Sequence, residues 1–166
     1  MPTPTQEYRM IPLTQGQVAI VDSVDFEQIN QHKWYAAWMP LARSFYAVRG
    51  ITLPEGKRTI WMHRELLGLD FGDPRTGDHR NHDTLDNRRS KNLRIASHAE
   101  NVRNKRIYAC NTTGFKGVSR HRFKYQAHIR LDGKLIHLGT CDTPESAYSL
   151  YCEAALRLHG EFASLK

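Results

Sequence analysis

The chain has 166 residues, of which 40% are hydrophobic and 25% are charged, a balance typical of one or two small globular domains. The net charge of +7 favours a polyanionic partner, and the absence of any apolar run near ~18 residues argues against a membrane protein. The three cysteines, Cys110, Cys141 and Cys152, form no Cys-x-x-Cys pair, which argues against a zinc framework made of four cysteines. The start of the chain, MPTPTQEYRM, has no basic segment followed by an apolar one, so we expect a cytoplasmic protein that is not secreted.

Positive charge is concentrated in residues 86–130, which hold twelve Lys and Arg against two acidic residues, whereas residues 1–58 hold six against five. The twelve are Arg88, Arg89, Lys91, Arg94, Arg103, Lys105, Arg106, Lys116, Arg120, Arg122, Lys124 and Arg130. Such a block attracts a polyanion and gains affinity from the release of counterions. A solvated basic face is the alternative, and the size of the block favours nucleic acid.

Residues 1–7 are expected to form a loose tail, and residues 8–62 predict a region of short strands. The predicted strands are 17–21, 33–38, 45–49 and 58–62, and the predicted helices are 26–31, capped by Asp25, and 63–69. The next elements are a strand or loop at 76–83, a turn at 85–90, a strand at 92–95 and a helix at 98–105, with Ser97 and Glu100 as a capping box. This small β-rich region therefore leads into a strand, loop, strand and helix.

Residues 76–101 carry side chains suited to phosphodiester hydrolysis: Asp78, His79, Asn92 and Asn101. A divalent cation can neutralise charge at the phosphate, and one carboxylate with one carboxamide is enough protein to hold Mg²⁺. A histidine is largely neutral at pH 7 and can take a proton from water. These residue types together predict metal-dependent cleavage of a phosphodiester.

The last third of the chain predicts a three-stranded sheet backed by one helix. The strands are 117–121, 125–131 and 134–139, with Asp132-Gly133 as a two-residue hairpin turn. In the middle strand Ala127, Ile129 and Leu131 are expected to face the helix, and Gln126, His128 and Arg130 to face solvent. The helix opens at Thr143-Pro144-Glu145, ends at Gly160 and buries Ala147, Leu150, Tyr151, Ala154 and Leu158.

The segment GDHRNHDTLDNRRSKNLRIASHAEN resembles the HNH endonucleases of the phage and intron homing type, as do Met62-His63-Arg64 and IPLTQGQVAIVD upstream. The resemblance implies that Asp78 and Asn101 are ligands of Mg²⁺ (or Mn²⁺), that His79 is the general base and that Asn92 orients His79. His82 is the reserve candidate for the base, and His63 is expected to support the fold.

Two positions depart from the HNH pattern. Lys91 stands as an extra residue before Asn92, and Gly77 occupies a position that usually holds Val or Ile. Both lie in the hairpin that carries Asp78 and His79, so they predict a shifted geometry or reduced activity.

Residues 112–163 are similar to the AP2 DNA-binding domain in the segments GFKGVSRHR, YQAHIR and IHLGT and in the helix that follows. This similarity implies that Lys116, His121, His128, Arg130 and His137 point at DNA. Arg120, Arg122 and Lys124 are expected to meet phosphates, and Arg88 and Arg89 are further candidates for contact with DNA.

The predicted fold class is α+β. Residues 1–107 form an HNH domain, with its β-rich region at 8–62 and a ββα-metal core at about 76–106, and residues 108–166 form an AP2-like domain, a three-stranded antiparallel sheet packed on one helix. The predicted function is hydrolysis of double-stranded DNA by a homing endonuclease, a monomer or weak dimer in the host cytoplasm if phage-encoded. The alternatives are a DNA-binding protein without catalysis and, less favoured because few aromatic residues line the exposed sheet face, an RNA-binding β-domain.

Overall fold

A computed structural model describes residues 7–105, 107 and 111–165. Most of the predicted tail (residues 1–6), Arg106 and Cys110 lie outside the described residues. The described part has a mixed α+β fold with several small antiparallel sheets and four helices, and it contains no helix long and apolar enough to cross a bilayer. The chain divides into two compact units after His98, whereas the sequence predicts the domain boundary at 107–108.

The first unit contains three small antiparallel sheets. They are β1 (Tyr8–Pro12) with β2 (Val18–Asp22), the meander of β3 (Tyr35–Met39), β4 (Ser44–Leu53) and β5 (Gly56–Trp61), and β6 (Thr76–His79) with β7 (Leu93–Ala96). Helix α1 (Ser23–Asn30) follows β2, and α2 (Met62–Leu66) follows β5. The predicted strands and the short helix after residue 62 are therefore present.

One apolar cluster holds these elements together. It consists of Ile11, Ala19, Val21, Ile29, Trp34, Ala47, Met62, Leu66 and Leu93. Burying large aliphatic and aromatic side chains is the main favourable contribution to folding in such a unit. Because Leu93 lies on β7, the same cluster also fixes the β6–β7 hairpin that carries Asp78 and His79.

Helix α1 begins earlier than the predicted residue 26, and the prediction that Asp25 caps it is wrong. Asp25 lies inside the helix and is buried, and its carboxylate accepts a hydrogen bond of 2.8 Å from Nε of Arg89. The residue at the N-cap, Asp22, accepts instead from the backbone N–H and the hydroxyl of Ser90, at 2.9 and 2.6 Å. Contacts with a distant loop thus decide the role of both carboxylates, and α1 anchors the loop at residues 89–90.

The second unit contains α3 (His98–Asn104), β8 (Val118–His121), β9 (Lys124–Leu131), β10 (Lys134–Cys141), α4 (Pro144–His159) and a 3-10 turn (Gly160–Phe162). The three strands form one antiparallel sheet in the order β10-β9-β8, so the predicted three-stranded antiparallel sheet is present. Ala127 and Ile129 of the middle strand are buried in clusters with α4, as the alternation predicts. Thr143 caps α4 by accepting from the N–H of Ser146 at 3.2 Å.

Candidate functional site

Asp78 and His79 are the last two residues of β6 and are only 4% and 6% exposed. Successive residues of a strand point to opposite faces of the sheet, so burial of both requires cover on both sides. In the antiparallel register Asp78 lies opposite Arg94 and His79 lies opposite Leu93. The predicted metal ligand, Asp78, and the predicted general base, His79, are therefore consecutive residues that are both shielded from water.

The carboxylate of Asp78 is paired with Arg94, a residue that sequence reasoning did not single out. Nε of Arg94 donates to Oδ2 of Asp78 at 2.7 Å, and both side chains are buried. A buried carboxylate needs such a partner to remain charged. Because a carboxylate offers about four lone-pair sites, one N–H from Arg94 is compatible with coordination of a hard cation by the same group.

The imidazole of His79 is held by Asn87, a second residue that the sequence did not reveal as functional. Nε2 of His79 lies 3.4 Å from Oδ1 of Asn87, whose Nδ2 donates to the carbonyl of Leu85 at 3.1 Å. A carboxamide oxygen only accepts hydrogen bonds, so this contact favours a proton on Nε2 and a lone pair on Nδ1. Burial lowers the pKa of His79 below its ordinary value, which favours the neutral ring that a general base requires.

Asn92 fixes the backbone of the loop that carries Asn87. It is 1% exposed, and its Nδ2 donates to the carbonyls of Asp83 and Asp86 at 3.2 and 2.7 Å. Its Oδ1 accepts from the N–H of Asn81 at 2.9 Å. The resemblance implies that Asn92 orients His79, whereas the structure gives Asn87 the contact with the ring. Asn92 therefore acts on His79 through the loop.

The extra residue, Lys91, is accommodated in the turn before β7. The carbonyl of Arg88 accepts from the N–H groups of both Asn92 and Leu93, at 2.8 and 2.9 Å. Lys91 itself projects to the surface, where its ammonium lies 2.6 Å from a carboxylate oxygen of Glu7. The insertion thus leaves Asn92 buried at the start of β7.

Gly77, the other departure from the HNH pattern, makes room for His63 of α2. A Cβ at position 77 would lie 2.5 Å from Cδ2 of His63, closer than atoms can pack. Burial holds the pKa of His63 well below its ordinary value, and its ring centroid lies 5.1 Å from that of His79. Tyr46 packs against both rings, with centroid distances of 5.7 and 6.0 Å. This aromatic contact contributes to the desolvation of His79.

The two arginines of the first unit that were predicted to contact DNA take part in internal ion pairs. Arg88 donates to both carboxylate oxygens of Asp86, from Nε and from a terminal nitrogen, at 2.7 Å each. Arg89 pairs with Asp25 of α1, and about half of its side chain is exposed. Both arginines hold the loop in place, and their contact with DNA stays a prediction.

Asn101, the second predicted metal ligand, lies on α3 in the second unit and is partly buried. Among residues 7–105, 107 and 111–165, no three His, Cys, Asp or Glu side chains are grouped so as to hold a metal ion. The predicted ligand set contains only one residue of these four types, Asp78, together with the carboxamide of Asn101.

The outer face of the second unit's sheet bears a pair of histidines. His128 and His137 are cross-strand neighbours, and Nδ1 of His137 lies 3.4 Å from Nε2 of His128. Burial and the neighbouring His137 lower the pKa of His128. Arg130 is exposed on the same strand and donates to the carbonyl of Gly133 at 2.8 Å. The face is polar and open to solvent, as a surface that reads DNA must be.

Lys116 differs from the other predicted DNA contacts, because its ammonium is bound to the backbone. It donates to the carbonyls of Arg103 and Lys105, at 2.7 and 2.6 Å, just where α3 ends. Burial lowers the pKa of Lys116 to about 8. Lys116 thus satisfies carbonyl groups that a helix end leaves unpaired.

The remaining predicted contacts lie in or beside the turn between β8 and β9. Arg120, His121, Arg122 and Lys124 are all exposed there. Lys124 lies 3.0 Å from Asp142, but both side chains are more than half exposed, and such pairs contribute little to stability.

The chain matches no family model and no curated protein.

Proposed function

We propose that the chain is a metal-dependent DNA endonuclease of the HNH type that hydrolyses phosphodiester bonds in duplex DNA, as homing endonucleases do. The observation that carries the proposal is the burial of two consecutive residues, Asp78, whose carboxylate is paired with Arg94, and His79, whose ring is kept neutral by burial and faces Asn87 through Nε2. A pKa perturbed by desolvation, next to a carboxylate, is typical of sites that move protons.

In this mechanism Asp78 would hold Mg²⁺ or Mn²⁺ through its carboxylate oxygens. Bound Mg²⁺ would neutralise charge on the scissile phosphate and assist the departing oxygen. The ring of His79, positioned by the contact of its Nε2 with Asn87, would accept the proton of the attacking water. Arg94 orients the carboxylate of Asp78 through its hydrogen bond. The family resemblance implies 5′-phosphate and 3′-hydroxyl ends.

The test is cleavage of supercoiled plasmid by the full chain with Mg²⁺, and with EDTA as the metal-free control. We expect His79→Ala to reduce nicking by roughly 10²- to 10⁴-fold, the usual contribution of a general base, with little change in DNA affinity in a gel shift. His32→Ala, at an exposed histidine of the first unit, is the control and should cut like the wild type. A His79→Ala variant that nicks at the wild-type rate would exclude His79 as the base.

A DNA-binding protein without catalysis is the second candidate, and the buried ion pair of Asp78 with Arg94 favours it. An arginine that neutralises this carboxylate also competes with a cation for it. Wild-type protein that binds plasmid but shows no nicking with Mg²⁺ or Mn²⁺ would support this candidate over the nuclease.

A further inference from the structure

The turn between β8 and β9 exposes an aromatic side chain almost completely. His121 and Lys124 pair across the two strands, so Arg122 and Phe123 are the two residues of the turn. Phe123 is 92% exposed. A single exposed apolar residue is common on protein surfaces, so its meaning depends on its surroundings.

The residue types in this turn are not those that its backbone conformation favours. The other hairpin of the same sheet uses Asp132 and Gly133, with φ of 48° and 79°, the residue types that such turns favour. In contrast Arg122 has φ of 54°, a left-handed conformation that costs energy for a residue with a long side chain. Arg122 therefore occupies a position where glycine would be more stable, which indicates that the side chains of this turn serve another purpose.

The residues around Phe123 are basic. Arg120, His121, Arg122 and Lys124 are exposed within three residues of it. Phosphate oxygens attract these cations, and the π-face of an aromatic ring stacks on nucleic-acid bases. Proteins that distort duplex DNA insert an apolar side chain between base pairs while basic residues hold the flanking phosphates. The cluster has both of these components at the tip of one hairpin.

We propose that Phe123 is a wedge that the β8–β9 hairpin inserts between base pairs of duplex DNA, while Arg120, Arg122 and Lys124 hold the flanking phosphates. The inference rests on the DNA-binding part of the proposed function and is independent of cleavage. Insertion separates two stacked base pairs and unwinds the duplex locally.

Unwinding can be measured with the full chain on closed circular plasmid in EDTA, where no metal-dependent nicking occurs. A topoisomerase that needs no divalent cation relaxes the plasmid in the presence of the bound protein. After the protein is removed, DNA that was unwound by the wedge keeps a changed linking number, which agarose gels resolve. We expect wild-type protein to shift the topoisomers in proportion to the amount bound.

Four variants separate the wedge from other roles of the turn. Phe123→Ala should abolish the shift and weaken plasmid binding roughly 5- to 150-fold, the effect of losing one stacked base, whereas Phe123→Leu should keep part of the shift. The double change Arg122→Gly/Phe123→Ala should raise thermal stability relative to Phe123→Ala, because glycine adopts the left-handed conformation at position 122 without strain, and should still abolish the shift. Leu41→Ala, at a fully exposed residue in the turn between β3 and β4, is the control and should behave like the wild type.

Several outcomes would overturn the inference. A Phe123→Ala variant that shifts topoisomers like the wild type excludes insertion. So does a Phe123→Ala variant that loses binding to anionic vesicles of phosphatidylserine and phosphatidylcholine but binds plasmid normally, because the hairpin would then face a membrane. If wild type nicks with Mg²⁺ but does not unwind, the wedge fails and the nuclease stands. If it unwinds but never nicks, the nuclease fails and the wedge stands.

Discussion

Two opposing effects set the protonation of His79. Burial lowers its pKa, whereas the hydrogen bond with Asn87 and the nearby carboxylates of Asp78, Asp83 and Asp86 raise it. A general base works only while it is neutral, so cleavage is lost as the pH falls through the pKa of the ring. In the proposed nuclease Asn87 would therefore be a positioning residue, because its contact with Nε2 favours one tautomer of His79 and raises the pKa of the ring.

Substitutions of Asn87 should shift the acid limb of the pH–rate profile, and the direction of the shift should depend on the new side chain. Asn87→Asp places a carboxylate beside the ring and raises its pKa, so cleavage should be lost at a higher pH than in the wild type. Asn87→Leu removes the acceptor and lowers the pKa, so cleavage should persist to a lower pH. Single-turnover nicking rates measured across the acid limb give both shifts, and urea unfolding checks that the variants fold. An acid limb that stays in place in both variants would remove Asn87 from the mechanism.

The sequence pattern singles out the chemical groups of the candidate site, but it does not predict which residues contact them. Asp78 and His79 stand out because a carboxylate and an imidazole are adjacent in a basic segment. Arg94 was missed because its contact with Asp78 depends on the register of β6 and β7, which the loop between them sets. Asn87 was missed because its position beside His79 depends on how Asn92 holds that loop. Both contacts are tertiary, so residue type and spacing alone do not specify them.

The packing of α2 against β6 couples Gly77 to His63. Gly77→Val should destabilise the first unit by about 1–3 kcal/mol, the usual cost of overpacking, because its Cβ meets the ring of His63. His63→Ala should also destabilise, since it leaves a cavity. The double variant should cost less than the sum of the two, because the new valine side chain would then fill the space left by the ring. Urea unfolding of the wild type, the two single variants and the double variant gives the coupling free energy between positions 63 and 77. Strictly additive changes in the free energy of unfolding would contradict the contact between them.

Elements defined by local chemistry were predicted well. The turn at Asp132-Gly133, the cap at Thr143 and the alternation of β9 are all confirmed, because each depends on residues within one or two turns of chain. The start of α1 was missed, because the roles of Asp22 and Asp25 depend on a loop more than sixty residues away. Sequence patterns therefore predict elements more reliably than they predict the partners of polar side chains.

The two units differ in how their positive charge is used. In the first unit the three arginines of the basic block are matched by internal carboxylates: Arg88 by Asp86, Arg89 by Asp25 and Arg94 by Asp78. In the second unit the cations of the β8–β9 hairpin are exposed, with Arg120 and Arg122 directed to solvent. Attraction of a polyanion should thus come mainly from the second unit, although the sequence places the basic block across both.

The salt dependence of DNA binding tests this division of charge. Each phosphate that a cation neutralises contributes about 0.9 to the slope of log K against log salt, so Arg120→Gln should reduce the slope by about that amount. Arg88→Gln should leave the slope unchanged, because its charge already serves Asp86, and should instead lower the stability of the first unit. Fluorescence anisotropy with a labelled duplex in EDTA measures the slope for each variant between about 50 and 200 mM NaCl, the range in which such slopes are resolved. Circular dichroism confirms that the variants fold. An equal loss of slope in the two variants would show that the arginines of the first unit also meet phosphate.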